Sequence, residues 1–219
     1  MTGLGRVGAL ARKDLLIEWR GRETITTMAV FALLIILLLG FALGTDSARA
    51  SSFLWVALAL AAMLGAGRPT LQEAEGDTLE TLLLYPGSRE HLFWGKWAAL
   101  SGMLLFLWAA LLPVTAILFN LSLWRALPAL LGVGALGVAG FAALGTLFAA
   151  LAVHVRGREL LMPLLLLPVS LPVVLAGVRL TEGVLNGGAT AAWLAVLGAF
   201  DAVFLLVAPL LFEVAVEEA

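Results

Sequence analysis

The stretch at residues 68–97, RPTLQEAEGDTLETLLLYPGSREHLFWGKW, is the longest charged segment in an otherwise apolar chain. Uncharged runs lie on both sides of it, at 50–67 and 98–124. About 20 apolar residues are enough for a helix to cross the hydrocarbon core of a bilayer. The segment is therefore predicted to be a loop held against one face of a membrane.

Within this loop, residues 77–85 carry the signals of a short amphipathic helix. Asp77 can cap its N-terminus, with Glu80 at the third helical position to complete a capping box. Pro86 ends it, because proline cannot continue the hydrogen-bonding pattern. One face is apolar and consists of Leu79, Leu82 and Leu83. Such a helix suits docking into a groove on another protein, but an amphipathic loop helix resting on the lipid surface has the same pattern.

The composition places the whole chain in the membrane. Of its 219 residues, 62% are hydrophobic, and the mean hydropathy is +1.06, whereas soluble domains are about half apolar. The absence of cysteine excludes disulfides, thiolate metal sites and cysteine nucleophiles. The net charge of −2 identifies no partner by itself, and no nucleic-acid partner is expected.

The uncharged runs predict an all-α integral membrane protein with six transmembrane helices. Their ranges are 24–45, 50–67, 98–124, 126–153, 160–178 and 189–212, of which the last contains a single charged residue, Asp201. Residues 1–23 are too polar for a span, but apolar side chains recur on one helical face, at Leu4, Val7, Ala11, Leu15 and Trp19. This segment is predicted to be an interfacial amphipathic helix, followed by a transmembrane domain at 24–219 with the loop at 68–96.

Basic residues are distributed unequally between the two sides of this topology. Six spans place the N-terminal segment, the 68–96 loop and the 154–159 turn on one side, with ten Lys and Arg residues. The other side has only Arg49, Arg125 and Arg179. Because basic residues favour the cytoplasmic side, both termini and the long loop are predicted to be cytoplasmic.

The fourth run has small residues at close spacing. Gly137, Gly140 and Ala139 belong to a glycine and alanine series that continues along this segment. Small residues let helix backbones approach closely in lipid. Tight helix packing is therefore expected, and this face is one candidate contact between two copies of the chain.

Catalytic and metal-binding patterns are absent from the sequence. Gly95-Lys96 has Glu90 where a G-x-x-x-x-G-K phosphate loop needs its leading glycine, so no ATP site of its own and no catalytic residue is predicted. His91 and His154, the only histidines, could ligate haem iron, although lone histidines at an interface are more often solvated. No metal site is predicted.

Asp201 is an intramembrane polar candidate. It lies in the middle of the sixth span, with no charged residue between it and Glu182 or Glu213. A buried acid in a membrane is expected to face protein or a wet cavity and to serve a function. The alternatives are a structural, protonated aspartic acid hydrogen-bonded to a neighbouring helix, or a break in the span.

Several motifs together resemble those of a transporter family. They are the loop Glu75-Gly76-Asp77-Thr78-Leu79-Glu80-Thr81-Leu82-Leu83-Leu84-Tyr85-Pro86, Gly95-Lys96 before the third span, Ala11-Arg12-Lys13-Asp14-Leu15, Trp19-Arg20, and Leu167-Pro168-Val169-Ser170-Leu171-Pro172. The chain resembles ABC-2-type transporter permeases and, within them, the haem exporter B subunit family of cytochrome c maturation (CcmB).

The resemblance implies a specific function and specific partners. It implies a permease subunit in the cytoplasmic (inner) membrane, present in two copies, working with a separate ABC ATPase and other cytochrome c maturation subunits. Haem would be the substrate, and ATP would be bound only by the partner. In this family the loop helix is the coupling helix, so the resemblance assigns ATPase coupling to Asp77, Leu79, Glu80, Leu82 and Leu83. Two alternatives stay open: a permease that exports a lipid, drug or polysaccharide, and a membrane scaffold without transport.

Overall fold

The computed structural model describes residues 3–75, 89–152 and 158–217. Regular structure in these ranges consists only of helices, as predicted. The seven α-helices are α1 Gly3–Gly21, α2 Glu23–Leu43, α3 Ala50–Glu75, α4 Arg89–Leu118, α5 Leu127–Ala152, α6 Arg158–Asn186 and α7 Ala191–Glu217. A single 3-10 turn at Ser47–Arg49 precedes α3.

Six of these helices, α2 to α7, are long and apolar enough to cross a membrane, which confirms the predicted number of spans. We call the end at which α2 begins, α3 ends and α4 begins the basal end, and the opposite end the distal end. The predicted coupling helix at 77–85 falls within residues 76–88, outside the described ranges. This segment is flanked by α3, which ends at Glu75, and by α4, which begins at Arg89.

The helix ends differ from the predicted span ends where charged residues continue a helix. The fifth span was predicted to end at 178, but α6 continues to Asn186. Arg179 donates a hydrogen bond to the carboxylate of Glu182 over 3.1 Å, one turn further along. Such pairs stabilise an exposed helical turn, so the first charge after an apolar run does not mark the end of the helix.

The centre of the bundle is an aromatic cluster held by α3, α4 and α5. Trp55 and Trp108 have ring centroids 4.8 Å apart, and both side chains are fully buried. Each indole N–H has an acceptor: Trp55 donates to the hydroxyl of Thr181 over 2.9 Å, and Trp108 donates to the carbonyl of Leu130 over 3.1 Å. In lipid, these hydrogen bonds fix which helices are neighbours.

The small residues of α5 make room for this cluster. A Cβ added at Gly137 would overlap the ring of Trp55, and one at Gly134 would overlap the ring of Trp108. The close packing expected of this helix is therefore present. The idea that the same face joins two copies is wrong for Gly137, because that position is buried against Trp55 of the same chain.

Candidate functional site

The predicted coupling residues are not among the residues that the structure describes. Asp77, Leu79, Glu80, Leu82 and Leu83 all lie outside the described ranges. The segment that contains them connects the basal ends of α3 and α4. The candidate site is therefore built from the contacts at this basal end and from the intramembrane acid Asp201.

Helix α1 is held against α4 by two glycines. A Cβ at Gly95 would lie 2.7 Å from the Cβ of Leu10, and one at Gly102 would lie 3.4 Å from a methyl group of Leu15. Residues seven apart lie on the same side of a helix after two turns. Gly95 and Gly102 thus give α4 a flat surface on which Leu10 and Leu15 of α1 rest.

Asp14 occupies the gap where α1 meets the bundle. Its side chain is only 13% exposed, and it lines a small cavity of about 20 Å³ together with Lys96 of α4 and Thr146 of α5. Asp14 forms an ion pair with Lys13 over 3.2 Å, and the ammonium group of Lys96 at the wall of the same cavity also favours the carboxylate electrostatically. Two of the sequence motifs, the one that contains Asp14 and Gly95-Lys96, therefore meet at the basal end.

Asp14 was not predicted to be a site residue, although its position at the edge of an apolar helix face indicates a polar partner. Asp14 follows Ala11 by three positions and immediately precedes Leu15, two residues of the predicted apolar face of α1. Positions three apart lie on neighbouring sides of a helix. An acid at the edge of an apolar face is better explained by a polar partner in the protein than by an interface with lipid.

A sharp bend separates α1 from α2. Arg22, the residue between the two helices, has a left-handed backbone with φ of 54°. Across the bend, the backbone N–H of Ile25 donates to the carboxylate of Glu18 over 2.8 Å. Glu18 thereby satisfies one of the N–H groups that every helix N-terminus leaves without an intrahelical partner, so α1 and α2 are joined at a defined angle.

Asp201 lies inside the protein, in accord with the expectation for its position. Its side chain is 5% exposed, and it projects toward α5, where a Cβ at Gly140 would lie 2.6 Å from its Oδ1. Neither carboxyl oxygen has a hydrogen-bond partner within the described ranges. An unpaired buried polar group costs about 1–3 kcal/mol. The described residues therefore do not form the hydrogen bond between Asp201 and a neighbouring helix that the structural alternative requires.

A second buried polar atom without a partner among the described residues is the hydroxyl of Ser101 on α4. The rings of Phe93 on α4 and Phe212 on α7 face each other with centroids 5.6 Å apart. Ser101 lies eight residues, about 12 Å, from Phe93, and Asp201 lies eleven residues, about 16 Å, from Phe212 in the same direction. The two unpaired groups are thus within about one helical turn of each other in depth.

The two histidines give no ligand cluster within the described ranges. His154 lies in the segment 153–157, outside them, and His91 is half-buried in α4 near the basal end. Among the described residues, no three His, Cys, Asp or Glu side chains come close enough together to hold a metal ion. Haem ligation by either histidine stays a prediction.

Comparison with known proteins agrees with the motifs. The sequence profile of the family described as CcmB protein matches residues 6–219. A protein named heme exporter protein B from Rhodobacter capsulatus is 32% identical over 212 residues, which cover 92% of this chain and 94% of that protein. A protein of the same name from Bradyrhizobium diazoefficiens is 31% identical over 199 residues, or 85% of this chain and 84% of that protein. This multi-pass membrane protein belongs to the CcmB family.

Proposed function

We propose that this chain is the membrane permease subunit of an ABC-type complex that exports or delivers haem for c-type cytochrome biogenesis. The observation that carries the proposal is the family match over residues 6–219, together with two relatives named heme exporter protein B that align over most of both chains. The six apolar helices suit a transport component. The chain is assigned no enzymatic activity of its own.

ATP is bound and hydrolysed by a separate ATPase subunit that docks on the helix at 77–85. Leu79, Leu82 and Leu83 fill a groove on that subunit, while Asp77 and Glu80 cap the helix and meet the polar rim of the groove. Burying one leucine side chain is worth about 1.5–3 kcal/mol. Three such contacts are enough to hold a small helix while the ATPase moves.

The basal contacts make the neighbouring helices move together when the loop is displaced. The loop joins α3 and α4 directly. Helix α1 is packed on α4 at Gly95 and Gly102, and the Asp14 cavity is lined by α1, α3, α4 and α5. A displacement of the docked helix is therefore passed to a packed unit, in the manner of a rigid-body transition.

The complex is oriented with both termini and the coupling loop in the cytoplasm, in the inner membrane. The excess of basic residues on that side supports this orientation. Two copies of this chain assemble with the ATPase and with other cytochrome c maturation subunits. Haem is the transported or released substrate, and Asp201 is a polar group on the path that the moving helices open or close.

The coupling helix is tested with charge substitutions on its two faces. Leu83→Glu and Glu80→Lys are expected to abolish co-purification of the ATPase and cytochrome c maturation, while the protein stays inserted at its normal level. Thr81→Glu is the matched control, because position 81 lies opposite the leucine face and should keep the ATPase.

The outcomes distinguish docking from the alternatives. A helix that only rests on lipid predicts a silent Glu80→Lys, because a basic residue suits an anionic membrane surface. Normal ATPase retention in both variants contradicts the coupling assignment. Loss of the ATPase without any effect on c-type cytochromes supports a permease for another substrate.

A further inference from the structure

A large cavity lies at the bend between α1 and α2. Its volume is about 470 Å³, compared with about 20 Å³ for the cavity at Asp14. Its apolar wall is formed by Leu15, Ile25, Gly102, Met103 and Phe106. Protein interiors are close-packed, and ligand sites have volumes of roughly 300–1,000 Å³. A space of this size is suited to a bound molecule.

The cavity has a charged mouth and an apolar interior. Glu18 and Arg22 line it beside the apolar residues, and with Glu23 they precede the uncharged run at 24–45. The mouth therefore lies where α2 enters the bilayer, at the depth of the lipid headgroups. Phe106, on the apolar wall, is 53% exposed, so the cavity is accessible from the lipid side.

The two charged residues at the mouth do not neutralise each other. The carboxylate of Glu18 accepts its hydrogen bond from the backbone N–H of Ile25. Arg22 takes part in the bend only through its backbone, and its guanidinium forms no ion pair with any described residue. An ionised carboxylate can accept several hydrogen bonds, and a guanidinium has five N–H donors. The mouth thus offers one anionic and one cationic group to a ligand.

We propose that this cavity binds one molecule of phosphatidylethanolamine. One acyl chain occupies the apolar space beside Met103 and Phe106. The phosphate accepts hydrogen bonds from Arg22, since guanidinium groups pair well with phosphate, and the ammonium group donates to Glu18. The ligand's own pair of opposite charges then matches the pair at the mouth.

The same charges discriminate against other phospholipids. Phosphatidylglycerol has the phosphate but no ammonium, so Glu18 repels its negative headgroup. Phosphatidylcholine has the positive charge, but its quaternary nitrogen has no N–H to donate to a carboxylate. Specificity of this kind arises because a buried or half-buried polar group left without its partner lowers affinity.

Native mass spectrometry of the full-length protein, purified in detergent and supplied with the three lipids at equal chain length, tests the site. We expect one retained phosphatidylethanolamine, bound about tenfold more tightly than phosphatidylglycerol, and a higher thermal midpoint with that lipid. Glu18→Gln keeps an oxygen that can accept from Ile25 but removes the charge. This variant should reverse the preference toward phosphatidylglycerol, because Arg22 is then the only charge at the mouth.

Two further variants complete the test. Arg22→Gln should weaken the binding of all phospholipids at this site, whereas Arg49→Gln at the distal end should leave binding and preference unchanged. Gly102→Leu should fill the cavity and abolish retention. If the Gly102→Leu variant does not fold, the reversed headgroup preference expected of Glu18→Gln still tests the proposal.

Three results would overturn the proposal. The first is equal retention of the three lipids, which indicates unspecific lipid packing. The second is an unchanged preference in Glu18→Gln. The third is displacement of the lipid by added haem, which has two carboxylates and would identify the cavity as a porphyrin site. None of these results bears on ATPase docking, which is measured separately by co-purification, so failure of the lipid proposal is distinguishable from failure of the coupling assignment.

Discussion

Helices α2 and α3 pack against each other, yet their surroundings differ. The membrane-spanning part of α2 is the most apolar of the six, and 22% of its residues are buried in the protein. The corresponding part of α3 is the least apolar, and 67% of its residues are buried. In a soluble protein the order would be reversed, because apolar side chains leave water by entering the core.

The difference follows from the solvent. Lipid tails are as apolar as leucine, so the hydrophobic effect does not select which face of a span turns inward. Helix α2 presents large aliphatic side chains to the lipid, whereas α3 brings Trp55 and a series of alanines into the centre. Close packing and hydrogen bonds therefore determine the interior.

The largest effect is expected from filling the space that the central aromatic cluster uses. Gly137→Leu puts a side chain where the ring of Trp55 lies and should cost at least about 3 kcal/mol, the upper part of the range for overpacking. The thermal midpoint in detergent and the monodisperse fraction measure the loss. Gly132→Leu on the same helix is the control, since a Cβ there has no described atom within 4 Å. Equal stability of both variants would show that the centre of the bundle is not tightly packed.

Replacing the unpaired intramembrane acid should separate stability from activity. Asp201→Leu removes a buried carboxyl that has no partner within the described ranges, so the free energy of unfolding should rise by about 1–3 kcal/mol. Haem-dependent cytochrome c maturation should nevertheless fall, as it should in Asp201→Asn, with insertion and assembly intact. Unchanged maturation in both variants would exclude a role of Asp201 in transport.

A smaller effect is expected from one central hydrogen bond. Trp55→Phe removes the N–H that donates to Thr181 and should cost about 0.6–1.7 kcal/mol, the range measured for hydrogen bonds between membrane helices. Trp124→Phe, at a side chain that is 86% exposed, provides the comparison and should change the unfolding free energy by less than about 0.5 kcal/mol. A loss of similar size in the two variants would contradict the central role of the cluster.

The smallest effect is expected on the lipid side of α2. Leu34, which is 57% exposed, can be replaced by alanine at almost no cost, because lipid fills the space that its side chain leaves. Ile36→Ala, two residues away at a fully buried position, leaves a cavity and should cost about 2–5 kcal/mol. Chemical denaturation in mixed micelles measures both. A costly Leu34→Ala would mean that this face contacts protein, such as a second copy of the chain.

The number of helices could be predicted from the sequence, but most of the contacts between them could not. Long apolar runs, uncharged except for Asp201, identified the six spans, because a bilayer disfavours unpaired charges. The inward faces of α2 and α3 were not predictable, since leucine is equally stable in lipid and in the core. The hydrogen bond between Trp55 and Thr181 joins residues 126 positions apart, and no local sequence pattern predicts it. Asp201 was identified because a single charge in an apolar run stands out, whereas Asp14 was overlooked among the charged neighbours of α1.

The contact between α1 and α4 also constrains the order in which the chain is assembled. Leu10 and Leu15 pack against Gly95 and Gly102, which a ribosome adds more than eighty residues later. At roughly 5–20 residues per second, α1 emerges about 4–17 s before its binding surface exists. During that interval its apolar side has only the bilayer surface to rest on, which is the environment that its amphipathic sequence predicts. Leu15, which belongs to the predicted apolar face of α1, would therefore have two environments in turn, first the bilayer surface beside the nascent chain and later the contact with Gly102 in the finished bundle.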